Sequence, residues 1–395
     1  VVVGAGITGL STAALLTRAG RSVLVLEARR VGDGTTGGST AKVSLLQGTQ
    51  LTQIARRHSL GVLRDYVTAN LEAQAWVAQV CQEHEVELQR RTALTYATTA
   101  QGEHAARREL QHAEAAGLPV VWQSTLALPY PTRGAVALPD QLQTDPIALL
   151  HALRSEVEAH GGTVAEHARV TAVRGRGPVE VTTERGAARA GTVVVATNSP
   201  ILDRGAHFAR LAPQRSYGLA FATTTPAVEE MYLSSDAPSR SLRDAVTDDG
   251  SPLLLVGGEG HPVGRERSPQ ERLDTLRSWT HEHFDVTAEV AAWSAQDYVP
   301  HHALPFAGPV LPGREDVLFA GGYSKWGMTN GVAAAHVLAG RLAGDLPPWS
   351  DVFAPWSGHE VSGLPTAAKI NAEVGLAMTT GWLRPLTRSA EETPA

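Results

Sequence analysis

Six residues near the start of the chain have the types and the spacing that hold the phosphates of a dinucleotide. They are Gly4-Ala5-Gly6-Ile7-Thr8-Gly9, a G-x-G-x-x-G turn between a short apolar run and a helical pattern. The first glycine permits the tight turn, the second lets backbone reach a pyrophosphate, and the third allows close packing of helix on strand. The N–H groups and the positive end of the helix then face the phosphates. The turn therefore predicts a dinucleotide site.

A carboxylate follows at the distance at which a ribose is recognised. Glu27 lies near the end of a second apolar run, Ser22–Ala28, and can accept hydrogen bonds from a ribose hydroxyl. Because NAD and FAD both use such a βαβ unit, the choice of dinucleotide is open at this point. Arg29 and Arg30 could bind the 2′-phosphate of NADP. Glu27 would repel that phosphate, and solvated arginines after a strand are the simpler interpretation.

A second glycine-rich stretch, late in the chain, is suited to a flat ring system. GGYSKWGMTNG, Gly321–Gly331, follows the apolar run Val317–Ala320. Its glycines allow backbone to approach a ligand, and a helix that begins near Asn330 would direct N–H groups at that ligand. The alternative is a glycine turn before a well-packed, alanine-rich helix. The presence of the first motif favours the ligand.

Composition limits the classes of partner. The chain has 395 residues, 43% hydrophobic and 19% charged, which suits two interleaved globular domains. A net charge of -6 offers no basic surface to nucleic acid or an anionic membrane. The single cysteine, Cys81, cannot form an internal disulfide or a cysteine-rich metal site, and His281 and His283 do not share a helix face. We therefore expect a cytoplasmic protein without a metal site.

The pattern of expected elements indicates an α/β fold. Leu10–Ala19 is predicted to be helical, and a helix and a strand within Asp145–Val173 repeat the pattern of the opening βαβ unit. Residues 51–90 predict one or two amphipathic helices, and Ser268 caps a helix that ends near Phe284. Alternating runs predict strands of another sheet at 93–99, 134–139, 217–224, 252–259 and 290–299. A parallel-sheet domain in three segments, with an antiparallel domain inserted, follows from this order.

A loop of small residues after Glu27 carries a resemblance to a known family. Gly34-Thr35-Thr36-Gly37-Gly38-Ser39-Thr40-Ala41-Lys42 resembles the G-T-T-G-x-T/S-T-A-K segment of FAD-dependent oxidoreductases of the D-amino acid oxidase type, the DAO superfamily. The chain is most similar to the branch often fused to a C-terminal Rieske [2Fe-2S] domain. DPIALLHAL with GGTV and ARVTAV, ATNSP, and GGYSKWGMTNGVAAAHVLAGRL fit that branch as well. The resemblance extends from Val1 to about Asp351.

The resemblance implies FAD as the cofactor and a discontinuous, Rossmann-type FAD-binding domain with an inserted α+β substrate domain on a mixed or antiparallel sheet. The implied boundaries are 1–50, 141–205 and 309–347 for the FAD-binding domain, 51–140 and 206–308 for the substrate domain, and 348–395 for a C-terminal extension and linker-like tail. Together with the motifs, it gives the expected cofactor-binding residues: Gly4, Gly6, Ile7, Thr8, Gly9, Glu27, Ala28, Arg29, Thr36, Ser39, Thr40, Ala41, Lys42, Val170, Ala196, Thr197, Gly321, Gly322, Trp326, Gly327, Met328 and Thr329.

Two departures from the family pattern bear on function. A Rieske cluster needs two cysteines and two histidines, and this chain has one cysteine. Either the sequence is the flavin part of a longer protein that continues beyond the linker-like TRSAEETPA, or this member has lost the partner domain. Relatives that oxidise amino acids usually offer an arginine in the strand before the last flavin segment. Trp293–Gly308 contains none, and His302 stands where an aspartate is expected.

Residues that face a flavin tune the cofactor more than they react. Lys325 could stabilise a reduced, anionic flavin, and a solvated loop lysine is the equal alternative. Tyr217, Tyr298 and Tyr323 are candidates for the substrate wall, although a half-buried core tyrosine is the commoner case. His302 could act as a general base, whereas a histidine pair in a proline-flanked turn is more often an ordinary loop feature.

The sequence therefore predicts an FAD-dependent oxidoreductase that removes a hydride from a C–N or C–OH bond of a small molecule. The flavin would be reoxidised by oxygen or by an electron-transfer partner such as a Rieske domain. Two other functions stay open: an NAD(P)H-dependent flavin reductase or monooxygenase, which needs a second nicotinamide site, and a non-catalytic FAD-binding module.

Overall fold

Three β-sheets and the helices that cover them make up the protein. The structure is a computed structural model that describes residues 1–202, 204–264 and 268–372. Within these residues the strands form a six-stranded, a three-stranded and a nine-stranded sheet. A mixed α/β architecture follows, as the sequence predicts.

The bounds of the strands, in chain order, are β1 (Val2–Val3), β2 (Leu24–Leu26), β3 (Lys42–Val43), β4 (Leu88–Tyr96), β5 (Val121–Gln123), β6 (Ala135–Thr144), β7 (Thr163–Ala165), β8 (Val170–Arg174), β9 (Val179–Thr183), β10 (Gly186–Ala190), β11 (Val193–Asn198), β12 (Leu211–Ala222), β13 (Met231–Ser234), β14 (Arg240–Val246), β15 (Pro252–Pro262), β16 (Ala288–Pro300), β17 (Phe306–Pro309) and β18 (Val317–Gly321). The helices are α1 (Ile7–Arg18), α2 (Gln50–Ala55), α3 (Leu60–Glu83), α4 (Ala100–Ala115), α5 (Pro146–Ala159), α6 (His207–Arg210), α7 (Pro269–His283) and α8 (Gly327–Ala343). A 3-10 turn, Ser350–Phe353, and a helical segment at 359–372 follow.

The six-stranded sheet is mostly parallel and carries the G-x-G-x-x-G turn. Its order is β17-β18-β11-β1-β2-β7, and its only antiparallel pair is β17 with β18. Val2 and Val3 are buried in the centre, paired with β2 on one side and β11 on the other. Because the carboxyl ends of parallel strands meet at one edge, Gly4, Glu27 and Ala196 come together there.

The nine-stranded sheet is mixed. Its path is β16-β12-β15-β14-β13-β4-β6-β3, with β5 paired to β6, and β4 with β13 is its only parallel pair. The three-stranded sheet, β8 to β10, is antiparallel. The parallel sheet and the mixed sheet correspond to the two sheets that the sequence predicts.

Helices with small residues cover the parallel sheet closely. α1 packs against α5 and α8, and α8 also packs against α3. Gly9, Ala13 and Ala14 of α1 are buried, as are Ala333 and Ala334 of α8. Such small side chains let two helices approach each other and the sheet. This packing fixes where the first turns of α1 and α8 point.

Most predicted elements are present, and one boundary is wrong. The Oγ atom of Ser268 accepts a hydrogen bond from the N–H of Glu271 (3.3 Å), which confirms the predicted cap of α7. The last helix begins at Gly327 and not near Asn330, because the N–H of Asn330 already donates to the carbonyl of Trp326 (3.1 Å). The sequence did not predict α4, β13 or β14.

Two short strands lie at the expected domain boundaries. β3 belongs to the segment 1–50 but pairs with β6 in the mixed sheet, and β17 spans the expected boundary between 308 and 309. The expected extension includes the helical segment 359–372, and the linker-like residues 387–395 lie outside the described part. The division of the chain into domains stays a prediction.

Candidate active site

The G-x-G-x-x-G turn has the geometry that a dinucleotide phosphate needs. Gly4 has a φ of +101°, and a Cβ there would stand 2.7 Å from the carbonyl oxygen of Ala196. A Cβ on Gly9 would overlap the carbonyl oxygen of Gly4, so only glycine lets α1 pack on the end of β1. Gly6 is the N-cap of α1 and offers no side-chain cap. Apart from the N–H of Ile7, which donates to Thr36, the backbone N–H groups of the first turn of α1 therefore remain available to an anion.

A cleft of about 690 Å³ runs along the carboxyl edge of the parallel sheet. This volume lies in the range of sites that enclose a small molecule or cofactor. The cleft brings together 14 of the predicted cofactor-binding residues: Gly4, Gly6, Ile7, Thr8, Glu27, Ala28, Arg29, Thr36, Ser39, Val170, Ala196, Thr197, Gly327 and Met328. They come from five separate parts of the chain that the sheet places at one edge.

Glu27 connects the G-x-G-x-x-G turn to the backbone that follows β2. Its Oε2 atom accepts from the N–H of Ala5 and its Oε1 atom accepts from the N–H of Arg29, both at 2.9 Å. The hydroxyl of Thr36 accepts from the N–H of Ile7 (3.2 Å), which ties the small-residue loop to the start of α1. The start of α1, Glu27 and the small-residue loop are thus fixed to one another by hydrogen bonds.

The other predicted cofactor residues lie elsewhere. Thr40, Lys42 and Trp326 line a neighbouring cavity, and Gly9, Ala41, Gly321, Gly322 and Thr329 line neither space. A Cβ on Gly321 would stand 2.5 Å from the carbonyl oxygen of Asn198, and one on Gly322 would stand 3.0 Å from Leu211. Close packing within the protein therefore explains these two glycines. Thr329 is buried, where its hydroxyl accepts from the amide of Gln47 (3.0 Å).

The neighbouring cavity has a volume of about 190 Å³ and opens on the cleft. Six residues line both spaces: Thr35, Ser39, Ala295, Asp297, Lys325 and Met328. The rest of the cavity wall comes largely from the mixed sheet, with Ser216, Tyr217 and Gly218 of β12 facing Trp293 of β16. The cleft therefore adjoins a smaller cavity, and the six residues common to both form their shared wall.

Lys325 and Asp297 stand at the junction of cleft and cavity. Ser324 and Lys325 have φ values of +51° and +74°, a left-handed conformation that is costly for residues other than glycine. The backbone N–H of Lys325 donates to the carboxylate of Asp297, which holds this turn. Burial raises the pKa of Asp297 and lowers the pKa of Lys325, and the charge of each group opposes the effect of burial on the other.

Asp297 was not predicted as a site residue. The sequence signal is a carboxylate between Gln296 and Tyr298 in a segment that alternates as a strand. Such a group is expected to have a partner when buried, but the partner is a backbone N–H 28 residues away in the sequence. Sequence spacing alone could not reveal it.

The three tyrosine candidates have different positions. Tyr217 is buried in the cavity wall, and its hydroxyl is 3.0 Å from Nε2 of His261. Tyr323 lines the cleft, and its hydroxyl is 2.8 Å from that of Thr8. Tyr298 lines neither space and accepts from the amide of Gln296 (2.8 Å). Of the three tyrosines, Tyr217 is therefore the one that lines the cavity.

His302 does not lie in the cavity or the cleft. β16 ends at Pro300, and the chain turns so that the imidazole packs on Phe306 with ring centroids 4.8 Å apart. His302 lies in the turn after β16 and is only 1% exposed, so it is a loop histidine, but a buried one. Its position also removes it from direct contact with anything bound in the cavity.

His301, His302 and Glu360 are, within the described residues, the one group of side chains that could offer three metal ligands. The N–H of Leu304 donates to Nδ1 of His302 (3.2 Å), so a neutral His302 carries its proton on Nε2, the atom facing Glu360. Arg210 already contacts the same carboxylate at 2.6 Å. This chemistry favours an ion-pair network over a metal site, and the absence of a metal site stays a prediction.

Helices in the described ranges include none that combines the length and apolarity needed to cross a bilayer. Cys81 is buried within α3, as the helical pattern around it predicts.

Comparison with known proteins supports FAD, the cofactor that the sequence resemblance implies. Residues 1–341 match the family model DAO, described as FAD dependent oxidoreductase. The chain is 30% identical over 386 residues to the putative Rieske 2Fe-2S iron-sulfur protein YhfW of Bacillus subtilis (strain 168), covering 97% of this chain and 76% of that protein.

Solved structures share the fold at low sequence identity. Glycine oxidase from Geobacillus kaustophilus superimposes with a TM-score of 0.73 at 18% identity, covering 88% of this chain and 95% of that one. A variant of NikD, an unusual amino acid oxidase, gives 0.74 at 19% (90% and 96%). L-proline dehydrogenase from P. horikoshii gives 0.70 at 16% (90% and 96%). Since the family match covers most of the sequence, this chain belongs to the DAO family of FAD-dependent oxidoreductases.

Proposed function

We propose that this enzyme oxidises a C–N bond of a small, amino-acid-like molecule that binds in the 190 Å³ cavity. The observation that carries the proposal is the shared wall between cavity and cleft, where Ser39, Asp297 and Lys325 line both spaces. A molecule in the cavity would lie next to the part of the cofactor that the shared wall contacts in the cleft. Direct transfer between two bound molecules requires such contact.

The residues of the cleft suit FAD along its whole length. The start of α1, with Gly4 and Gly6, would hold the pyrophosphate, and Glu27 would accept from a ribose hydroxyl. Val170 would lie near the adenine, while Gly327 and Met328 at the start of α8 would lie towards the flavin. When bound, FAD supplies a hydride acceptor at N5 of its ring system. The protein supplies orientation, exclusion of water and electrostatic tuning.

A C–N bond is favoured over a C–OH bond by the names of similar structures. These include glycine oxidase, L-proline dehydrogenase and L-amino acid deaminase, all of which act on amino acids by name. Their low identity makes this an inference about chemistry and not about a particular substrate. The cavity itself offers hydroxyls, two lysines and aromatic walls, which suit a small polar molecule with an apolar part.

Three side chains of the cavity are assigned roles in this proposal. Lys325 places positive charge at the junction, where it would favour an anionic, reduced cofactor. Asp297 holds the turn that carries Lys325. Tyr217 orients the substrate through its hydroxyl or its ring. His302 has no part in it, because it lies outside both spaces.

The electron acceptor is oxygen or an electron-transfer partner. Similarity to a relative that is named as a Rieske iron-sulfur protein supports the second alternative. A Rieske domain in the native chain would then receive electrons singly from the reduced cofactor. We also keep the cytoplasm as the expected compartment, which cell fractionation would test.

Anaerobic mixing of the FAD-loaded protein with matched pairs of small molecules tests the proposal. Each pair should differ only in an amine or a hydroxyl, such as glycine with glycolate and alanine with lactate. We expect the flavin absorption to bleach with at least one amine and not with its hydroxyl partner. Bleaching by NADH alone would support a reductase instead. If light reduces the bound cofactor but none of the amines reduces it, the result would support a non-catalytic module.

A further inference from the structure

Lys42 occupies an unusual position at the far end of the cavity. It belongs to β3, is 7% exposed, and lines the cavity but not the cleft. Its Nζ atom donates to the carbonyl oxygen of Tyr232 and to the hydroxyl of Ser241, both at 2.7 Å. Both partners are neutral. The ammonium group retains a third N–H beyond these two bonds.

No carboxylate pairs with Lys42 in the part of the chain that the structure describes. The charge that acts on the pKa of Lys42 is that of a second buried cation, Arg243. Burial, and then Arg243, lower the pKa of Lys42 well below its ordinary value. A buried ammonium group without a counter-charge is unfavourable unless an anion completes the site.

Lys325, the other lysine of the cavity, differs in this respect. Its charge is offset by Asp297, which raises the pKa of Lys325 against the effect of burial. Lys325 also lines the cleft, whereas Lys42 and Ser241 do not. At the end of the cavity next to the cleft, a carboxylate therefore offsets the charge of the lysine. At the other end, no carboxylate of the described residues offsets the charge of Lys42.

Ser241 adds a second donor beside Lys42. Its Oγ atom accepts from Lys42, and within the described residues it has no hydrogen-bond acceptor of its own. Its hydroxyl proton can therefore point into the cavity, which Ser241 lines. Two donors whose heavy atoms lie 2.7 Å apart match the two oxygens of a carboxylate.

We propose that Lys42 and Ser241 bind the carboxylate of the substrate at the end of the cavity remote from the cleft. This inference rests on the proposed function and assigns an orientation to it. With its carboxylate held between β3 and β14, the substrate directs its amine-bearing carbon towards Asp297, Lys325 and the cleft. Specificity for acids over neutral amines then arises from a lysine on β3, and not from an arginine on β16.

Calorimetric titration of the FAD-loaded protein with propionate and propionamide tests the inference, because the two probes have similar shapes and differ in charge. We expect propionate to bind at least about tenfold more tightly than propionamide, as a charged hydrogen-bonded pair would give. Lys42→Met should abolish the difference, and Lys325→Met should keep it. Equal binding of the two probes by the unaltered protein would overturn the inference. So would loss of the preference in Lys325→Met but not in Lys42→Met.

Ser241→Ala provides a second test in case Lys42→Met does not fold. This variant keeps the bond from Lys42 to Tyr232 and removes one donor, so propionate should bind about threefold to tenfold more weakly. Unchanged propionate binding would contradict the inference. Calorimetry does not depend on turnover, so it tests this inference separately from the proposed function. If amines bleach the flavin but propionate binds no more tightly than propionamide, only this inference fails. If propionate binds more tightly but no amine bleaches the flavin, only the proposed oxidation fails.

Discussion

At the scale of single residues, the turn at Ser324 and Lys325 is the clearest sign of a functional position. Two successive non-glycine residues with positive φ cost about 1–3 kcal/mol each, and glycine would avoid this cost. The chain instead places a lysine at the junction of cleft and cavity. Strain of this kind persists where the side chain has a use that glycine could not serve.

Replacing either residue by glycine separates stability from activity. Lys325→Gly and Ser324→Gly should each raise the free energy of unfolding by up to about 1 kcal/mol, because the relief of a left-handed residue is partly offset by the greater chain entropy of glycine in the unfolded state. Only Lys325→Gly removes the cation, so only it should slow flavin bleaching, by about tenfold or more. Denaturant unfolding and stopped-flow reduction measure the two effects. Equal bleaching rates in both variants would contradict a role for the lysine.

Gly9 provides a residue-level test of the cofactor cleft. A Cβ at this position would overlap the carbonyl oxygen of Gly4, so Gly9→Ala must displace α1 from the end of β1. We expect retention of FAD to fall at least about tenfold, because the N–H groups of α1 move from the phosphates. Gly191→Ala, where a Cβ meets nothing within 4 Å, is the matched control. Equilibrium dialysis with FAD measures both, and equal retention would argue against this turn as the pyrophosphate site.

At the scale of elements, a buried carboxylate on α4 supports the start of α2. Both oxygens of Glu109 are used: they accept from the N–H groups of Leu51 (2.9 Å) and Thr52 (2.8 Å) and from the hydroxyl of Thr52 (2.6 Å). These N–H groups belong to the first turn of α2, which has no intrahelical acceptor for them. One helix therefore caps another across a long stretch of sequence.

Removal of this carboxylate should destabilise the fold. Glu109→Ala leaves two buried N–H groups without an acceptor, and we expect the free energy of unfolding to fall by about 2–4 kcal/mol. Glu109→Gln, which keeps one acceptor oxygen, should lose less. Glu114→Ala, on the exposed side of the same helix, should change it by less than about 0.5 kcal/mol. Urea unfolding of the three variants checks this order, and equal losses in Ala and Gln would count against the capping role.

The ion-pair network around Glu360 connects the C-terminal segment to the end of β16. Burial lowers the pKa of His302 from 6.5 to about 4. Burial alone would raise the pKa of Glu360, but its contacts with Nε2 of His301 (3.1 Å) and of His302 (3.8 Å) and the charge of Arg210 lower it to about 2. Both groups bind protons more readily when unfolded, so stability is lost as pH falls, through 6.5 to 4 for His302 and through 4.5 to 2 for Glu360.

A variant without this imidazole should respond less to acid. In His302→Asn the side-chain oxygen can still accept from Leu304, but no group titrates there. We expect unfolding free energy to fall less steeply between pH 6.5 and 4 than in the unaltered protein. His104→Asn, at an exposed position on α4, is the matched control. Parallel curves for His302→Asn and the unaltered protein would show that His302 does not contribute.

The same elements explain what sequence reasoning could find. α1, α3, α5 and α7 have regular apolar stripes or local caps, so their patterns predict them. The buried positions of α4 are Gly102, Ala106, Glu109 and Ala113, which give no hydrophobic period, and it was missed. In the site, the G-x-G-x-x-G turn is local and was predicted as a dinucleotide site. The junction of Asp297 with Lys325 and the pair Lys42–Ser241 depend on strand pairing between distant segments, which spacing does not reveal.

At the scale of the whole molecule, function depends on how two sheets meet. The carboxyl edge of the parallel sheet forms the cleft, and β12, β14, β15 and β16 of the mixed sheet contribute walls of the cavity. Family membership establishes FAD dependence over residues 1–341. In the proposed orientation, the substrate extends from the cleft, past Asp297 and Lys325, to Lys42 at the other end of the cavity.

The visible absorption spectrum of the purified protein, recorded before and after anaerobic addition of amines, tests the central claim most directly. We expect a flavin band that acid precipitation releases into the supernatant, and that bleaches when an amine is added without oxygen. A colourless protein that takes up no added FAD would contradict the cofactor site. A protein that binds FAD but is bleached by none of the amines would contradict C–N oxidation in the adjoining cavity.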